Sequence, residues 1–104
     1  MSRQIPLAEL RARRAAGEAI RVVDVRSEEE VAQGHVEGAV HLPLAMLAAD
    51  PDRLPLDRPI VTVCGTGGGR SASAAAALAA AGAADVGFLE GGTQAWLTGR
   101  GPGA

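Results

Sequence analysis

Apolar and polar positions alternate along the chain in short blocks that predict strands separated by helices. Apolar blocks predict strands over residues 20–25, 60–63 and 86–89, with shorter strands at 4–5 and 40–42. Helical spacing or high helix propensity predicts helices over the intervening segments, including an alanine-rich helix over 71–81. This alternation is typical of an α/β fold, in which a five-stranded parallel sheet is flanked by helices on both faces. The block at 60–63 is the clearest candidate for a central strand.

Glycines and capping residues predict where these elements end. Gly17, Gly34 and Gly82 follow helical segments, where glycine favours termination. Ser27, followed three residues later by Glu30, forms a capping-box pattern at the start of a helix. Three prolines predict a loop over 50–59, and two adjacent glycines predict a turn at 91–92 before a short helix over 93–97. Residues 1–98 are expected to form one domain, and the Gly- and Pro-rich segment 99–104 a flexible tail.

Composition and charge exclude several classes of function. The net charge of −2 argues against a general surface for nucleic acid or anionic membrane, so neither is an expected partner. No stretch approaches the roughly 18 apolar residues of a membrane span, and the N-terminal segment lacks the pattern of a signal peptide. A single cysteine excludes an internal disulfide and a multi-cysteine zinc site. We therefore expect a cytoplasmic protein without a metal or cofactor.

The one cysteine, Cys64, follows the predicted central strand. Ligands of open α/β sheets bind beyond the carboxyl ends of the strands, which is where this residue falls. A glycine-rich stretch follows it, and an Arg-Ser pair then begins a helix. Glycine N–H groups, a helix N-terminus and a guanidinium each stabilise an anion and favour a thiolate over a thiol. The pattern predicts Cys64 as a nucleophile within an anion-binding loop made of Gly65, Thr66, Gly67, Gly68, Gly69 and Arg70.

Four further residues are candidates for supporting roles at this site. Asp24 and Arg26 flank the end of a strand near the same sheet edge, which favours a salt bridge or loop brace; binding of the substrate anion by Arg26 is the alternative. His35 follows a glycine turn and is expected to hydrogen-bond the backbone rather than act as an acid or base. Ser71 lies in the first turn of a helix, from which its hydroxyl is also a candidate partner for the Cys64 sulfur.

Three charged or aromatic groups have structural interpretations. Arg11, Arg13 and Arg14 are expected to form a solvent-exposed basic face. The acidic residues 28–30 suit the positive end of a helix and are expected to be solvated. Trp96 is expected to pack in the core or to cover an edge of the site.

Three ordered segments resemble the signatures of rhodanese-like domains, and the resemblance covers about residues 4–97. They are Val23–Arg26 with Glu30 and Gly34–Leu44, then Val61–Cys64 with Arg70-Ser71, and finally Leu89–Trp96. The resemblance implies a five-stranded parallel sheet between helices. It also implies a sulfurtransferase in which Cys64 takes a sulfane sulfur from thiosulfate or a similar small anionic donor. The resulting persulfide would pass this sulfur to cyanide, to a small thiol or to a protein.

The sequence departs from the family pattern in ways that keep two alternatives open. Five residues separate Cys64 from Arg70, where common single-domain sulfurtransferases have four, and Cys-x5-Arg-Ser is a phosphatase pattern. A phosphatase or arsenate reductase is therefore the second hypothesis. Val63, where phosphatases usually have histidine, and the lack of a good proton donor in the loop favour sulfur transfer. Val31 and Glu37 also depart from the common signature. The third hypothesis is a non-catalytic sulfur carrier or sensor acting through a protein partner.

Overall fold

Strands and helices alternate along residues 2–99, which are the residues described by the computed structural model. The strands are β1 (Arg3–Ile5), β2 (Arg21–Asp24), β3 (Val40–His41), β4 (Ile60–Val63) and β5 (Val86–Leu89). The helices are α1 (Leu7–Ala15), α2 (Glu28–Ala32), α3 (Leu44–Ala49), α4 (Gly69–Ala80) and α5 (Gly92–Thr98). All strand pairs are parallel, in the order β1-β5-β4-β2-β3. The predicted α/β fold and the central position of β4 are confirmed.

Apolar side chains fill both faces of the sheet. Along β4, Ile60 joins one cluster with residues of α3 and α4, whereas Val61 and Val63 join the other with residues of α1 and α5. All four residues of β4 are buried, which accounts for the absence of a polar face in this strand. Cys64 continues the alternation on the α4 side and is buried there.

Several element boundaries differ from the sequence prediction. Helix α4 begins at Gly69 rather than Ser71, so Gly69 and Arg70 belong to its first turn and not to the preceding loop. Gly92 likewise opens α5. The predicted loop 50–59 contains one 3-10 turn, Pro51–Arg53, because proline suits the first position of such a turn. Of the predicted tail, Gly99 caps α5 with a φ of 75°, and residues 100–104 lie outside the described part.

The basic residues of α1 form more contacts with other side chains than predicted. The side chain of Arg13 is only 17% exposed and forms ion pairs with Glu9, Glu18 and Asp85. The guanidinium carbon of Arg14 lies 5.2 Å from the centre of the Trp96 ring, which itself packs against the α1 side of the core. The prediction of a solvated face is therefore wrong for these two arginines. No helix in the described range is long and apolar enough to cross a membrane.

Candidate active site

Cys64 stands at the carboxyl end of β4, and the segment that follows is fixed by the start of α5. The carbonyl of Cys64 accepts a hydrogen bond from the N–H of Thr93 at 2.8 Å, and that of Gly65 accepts one from the N–H of Gln94 at 3.0 Å. The first turn of a helix has N–H groups without partners inside the helix. Here two of them hold the backbone that carries the candidate nucleophile.

Two glycines allow the loop and α5 to approach each other. Gly67 and Gly92 have φ values of 82° and 60°, in the left-handed region that glycine tolerates. A Cβ on Gly92 would lie 2.3 Å from the carbonyl oxygen of Cys64 and 2.7 Å from the nitrogen of Gly67. Only glycine fits at position 92. The turn predicted at residues 91–92 therefore has a second role, because Gly92 lets α5 pack directly against the loop. The sequence pattern does not predict this contact.

The sulfur of Cys64 faces the first turn of α4. It lies 3.2 Å from the hydroxyl oxygen of Ser71, so the contact considered from the sequence is present. The Ser71 hydroxyl also lies 3.1 Å from the carbonyl oxygen of Gly68. Thr62, buried on β4, donates its hydroxyl to the carbonyl of Ser71 at 2.7 Å and so fixes this turn relative to the sheet. The residue pattern predicts Thr62 only as part of the central strand, so this contact was not expected.

This environment favours the thiolate form of Cys64. Burial, the largest single effect, raises the pKa of the thiol. Hydrogen bonding to the Ser71 hydroxyl and to the backbone N–H groups of Ser71, Gly67 and Gly68 lowers the pKa. The combined hydrogen bonds outweigh burial, and the pKa lies below its ordinary value. The thiolate is the nucleophilic form of cysteine, so the arrangement suits nucleophilic chemistry.

Arg70 stands at the mouth of the loop but is already paired. Its two terminal nitrogens donate to the carboxylate oxygens of Glu30 at 2.7 and 3.0 Å. Both side chains pass over Gly65, since a Cβ there would lie 3.7 Å from Arg70 and 3.8 Å from Glu30. Binding of a substrate anion by Arg70 stays a prediction. The side chain of Glu30 is 38% exposed, in line with the expected solvated face, but helix α2 also turns its carboxylate towards the loop, where it pairs with Arg70.

Glu30 is held by two partners at once. Besides Arg70, it receives a hydrogen bond from the backbone N–H of Ser27, and the Ser27 hydroxyl accepts one from the N–H of Glu30, which completes the predicted capping box. The hydrogen bond from Arg70 and then the backbone hydrogen bond from Ser27 lower the pKa of Glu30 to about 2. Glu30 therefore carries a negative charge at neutral pH.

The other candidate supporting residues have structural contacts. Arg26, 7% exposed, forms a bidentate salt bridge with the buried Asp24 at 2.9 and 2.8 Å, and donates to the carbonyl of Gly34 at 2.7 Å. This is the predicted brace. His35 donates from Nδ1 to the carbonyl of Val36 at 3.0 Å, in line with the expected backbone contact.

An open cleft of about 300 Å³ lies between α2 and α5 and begins at the loop. Among the described residues, the hydroxyl of Thr93 is the one buried side-chain polar group without a hydrogen-bond partner. Sequence reasoning missed this cleft, because its walls come from segments distant in the chain. Its lining residues are Arg26, Glu30, Gln33, Gly34, Gly65, Thr93, Gln94, Leu97 and Thr98.

Comparisons with known proteins identify the same architecture. A rhodanese-related protein from Thermoplasma volcanium has a solved structure that matches with a TM-score of 0.82 and 29% identity, covering 96% of this chain and 95% of that one. A protein of Allochromatium vinosum named as a sulfurtransferase is 35% identical over 96 residues, which are 92% of this chain and 89% of the relative.

A third relative is much longer than the segment that it shares. A helix-turn-helix-type transcriptional regulator of Mycobacterium tuberculosis is 48% identical over 60 residues, which cover 58% of this chain but only 26% of the regulator. The family model of the rhodanese-like domain matches residues 6–98, a range that includes all the site elements described above. With its cysteine at the end of the central strand and its loop braced by glycines, the chain belongs to the rhodanese-like domain family.

Proposed function

We propose that this chain is a sulfurtransferase in which Cys64 carries the sulfur as a persulfide. The observation that supports this most directly is the environment of the sulfur, where Ser71 and backbone N–H groups lower the pKa of the thiol. Its substrates are a small anionic donor of sulfane sulfur, of which thiosulfate is the simplest, and a small thiol or a protein acceptor. The cytoplasm, where thiols stay reduced, is the expected location.

Each half of the reaction follows from the chemistry of a thiolate. With thiosulfate, the Cys64 thiolate attacks the outer sulfur, a sulfur–sulfur bond forms, and the bond to the sulfonate sulfur breaks to release sulfite with its electron pair. A thiolate acceptor then attacks the outer sulfur of the Cys64 persulfide, takes that sulfur and restores the Cys64 thiolate. When the sulfur is negatively charged, the Ser71 hydroxyl donates to it instead of to the carbonyl of Gly68.

The phosphatase or arsenate reductase hypothesis is the weaker alternative. Such chemistry requires strong electrostatic stabilisation of a multiply charged oxyanion, for which a free guanidinium is well suited. Arg70 instead forms a bidentate pair with Glu30. The sulfur-carrier hypothesis shares the first half of the proposed reaction and differs only in its acceptor.

Sulfur loading is the direct test of the proposal. The chain contains one cysteine, so Cys64→Ser removes the only thiol and serves as a matched control. After incubation with thiosulfate and removal of excess donor, intact mass spectrometry should find one added sulfur atom on the wild type and none on the variant. Addition of cyanide should then release thiocyanate and return the original mass.

The alternatives give different outcomes in the same set of assays. Hydrolysis of an aryl phosphate that depends on Cys64, without any sulfur adduct, would support the phosphatase hypothesis and refute sulfur transfer. A stable adduct that small thiols and cyanide discharge only slowly would support the carrier.

A further inference from the structure

We propose that Thr62 is a positioning residue, whose buried hydroxyl holds the first turn of α4 at hydrogen-bonding distance from the sulfur of Cys64. Thr62 is 0% exposed and lies within β4, whose other three residues are apolar. The strand itself therefore does not require a hydroxyl at this position. The inference rests on the proposed role of Cys64 in sulfur transfer, and it assigns control of that thiolate to a residue outside the loop.

The hydroxyl of Thr62 connects the sheet to α4. It donates to the carbonyl of Ser71 at 2.7 Å, whereas the carbonyl of Gly87 on β5 lies 3.4 Å away and is the weaker acceptor. Among the described residues, this is the one hydrogen bond that joins a strand of the sheet to α4. A buried hydrogen bond that is fully satisfied favours a single arrangement of the two elements that it joins.

Small side chains line the part of α4 that is closest to Cys64. Ser71, Ala74 and Ala75 are buried there, and Leu78, two turns into the helix, is the first large buried side chain. Interlocking of large side chains gives a core one well-defined arrangement, and methyl groups contribute little to it. The hydrogen bond from Thr62 therefore determines where the first turn of α4 lies relative to the sheet.

The first turn of α4 and the residues before it act directly on Cys64. The Ser71 hydroxyl lies 3.2 Å from the sulfur. Backbone N–H groups of Ser71, Gly67 and Gly68 also hydrogen-bond the sulfur. Because a hydrogen bond weakens steeply as its distance and angle depart from the optimum, a small shift of this turn would weaken several donors at once. Thr62 thus acts on the thiolate through Ser71 and its neighbours.

The charged groups around Cys64 do not depend on the Thr62 hydroxyl. They come from the end of β2, from the loop-facing residue of α2, from α4 and from the residue after β5, while α3 and α5 carry no charged residue. They are Asp24, Arg26, Glu30, Arg70 and Glu90. A change in the titration of Cys64 when the hydroxyl is removed therefore reports on hydrogen bonds to the sulfur and not on these charges.

The test removes the Thr62 hydroxyl with little change in side-chain shape. Thr62→Val is isosteric and Thr62→Ser keeps the hydroxyl, while Ile60→Val removes one carbon from the same face of β4 and serves as the packing control. The midpoint of Cys64 alkylation by iodoacetamide, measured across pH, should rise by about 0.5 to 1 unit in T62V. In T62S and I60V it should stay within about 0.2 units of the wild type.

Sulfur loading gives the matching kinetic measurement. Loading of T62V from thiosulfate, followed by intact mass at neutral pH, should be about two- to fivefold slower than loading of the wild type. The difference should disappear at alkaline pH, where Cys64 is a thiolate in every variant. If T62V does not fold, as judged by urea unfolding, Thr62→Ala gives the same comparison.

Three results would overturn the inference: an unchanged alkylation midpoint in T62V, a T62S midpoint as high as that of T62V, or an equal shift in I60V. A double variant adds a further check, because T62V and Ser71→Ala affect the same donors and their combined shift should be smaller than the sum of the two. A fully additive shift would show that Thr62 acts by another route. Alkylation needs no sulfur donor, so a wild type that takes up no sulfur would refute the proposed function while the alkylation midpoints still decide the role of Thr62.

Discussion

The two halves of the segment between β4 and α4 are held in different ways. The first half is anchored, because the carbonyls of Cys64 and Gly65 accept hydrogen bonds from the first turn of α5. The second half is open, since a Cβ on Gly68 would meet no atom within 4 Å. The carbonyl oxygens of the first half are thus hydrogen-bonded to α5. The N–H groups of the second half remain available to hydrogen-bond the sulfur of Cys64.

This division explains how a glycine-rich loop can be both ordered and chemically useful. Glycine lowers the cost of left-handed backbone but increases the entropy lost on folding. The hydrogen bonds to α5 offset that loss in the first half, close to Cys64. The open half keeps space around the N–H groups that an anion requires. Substitutions at the anchored half should therefore lower the free energy of unfolding more than substitutions at the open half.

The largest difference is expected between the two ion pairs near the loop. Arg26→Ala leaves the buried Asp24 without its partner and should lower the free energy of unfolding by about 3–5 kcal/mol. Arg70→Ala breaks a pair whose side chains are 43% and 38% exposed and should cost about 0–1 kcal/mol. Urea unfolding followed by the fluorescence of Trp96, the single tryptophan, measures both. Equal losses would contradict the contrast in burial.

Two glycine substitutions in the helices on either side of the loop test the contrast between its anchored and open halves. Gly92→Ala places a methyl group 2.3 Å from the Cys64 carbonyl at a φ of 60°, and should destabilise the fold by about 1–3 kcal/mol. Gly69→Ala adds a methyl group in open space within the first turn of α4, and should be neutral or stabilise by up to about 1 kcal/mol. The same urea titration applies, and a stable Gly92→Ala protein would disprove the tight contact.

Ser71 provides a test of the sulfur environment. Because hydrogen bonding to Ser71 lowers the pKa of Cys64, Ser71→Ala should raise it and reduce the thiolate fraction at neutral pH. Alkylation by iodoacetamide, measured across pH, should have its midpoint below the free-thiol pKa of about 8.5 in the wild type and a higher midpoint in the variant. Ser73→Ala, at an exposed position on the same helix, is the control and should leave the profile unchanged. A wild-type midpoint at the free-thiol value would contradict the described environment.

The smallest expected effect concerns acid stability. The pKa of Glu30 falls from 4.5 to about 2 on folding, so its contribution is present above pH 4.5 and is lost as pH falls towards 2. Since the pair with Arg70 is exposed, that contribution should not exceed about 1 kcal/mol. Glu30→Gln should flatten this part of the pH–stability curve, whereas Glu29→Gln should not. Unfolding measured at several pH values between 2 and 6 distinguishes the two variants.

Local sequence was sufficient for the parts of the site that are close in the chain. The order of elements, the central strand, the capping box at Ser27 and the Asp24–Arg26 pair all depend on neighbouring residues, and each is present in the structure. The position of Cys64 after β4 follows for the same reason. Backbone geometry and short-range hydrogen bonds dominate these features, so a pattern of residue types can predict them.

Contacts between distant segments were decided only by the tertiary structure. Arg70 pairs with a carboxylate 40 positions away, and α5 reaches back to hold the carbonyls of Cys64 and Gly65. Parallel strands place successive strand ends at one sheet edge, but the side chains that meet there depend on the packing of the helices. The sequence by itself determined the α/β frame and the place of Cys64, the candidate nucleophile, after the central strand. The folded chain determined which charges neutralise each other and where the cleft opens, because those depend on distances between segments that no local pattern encodes.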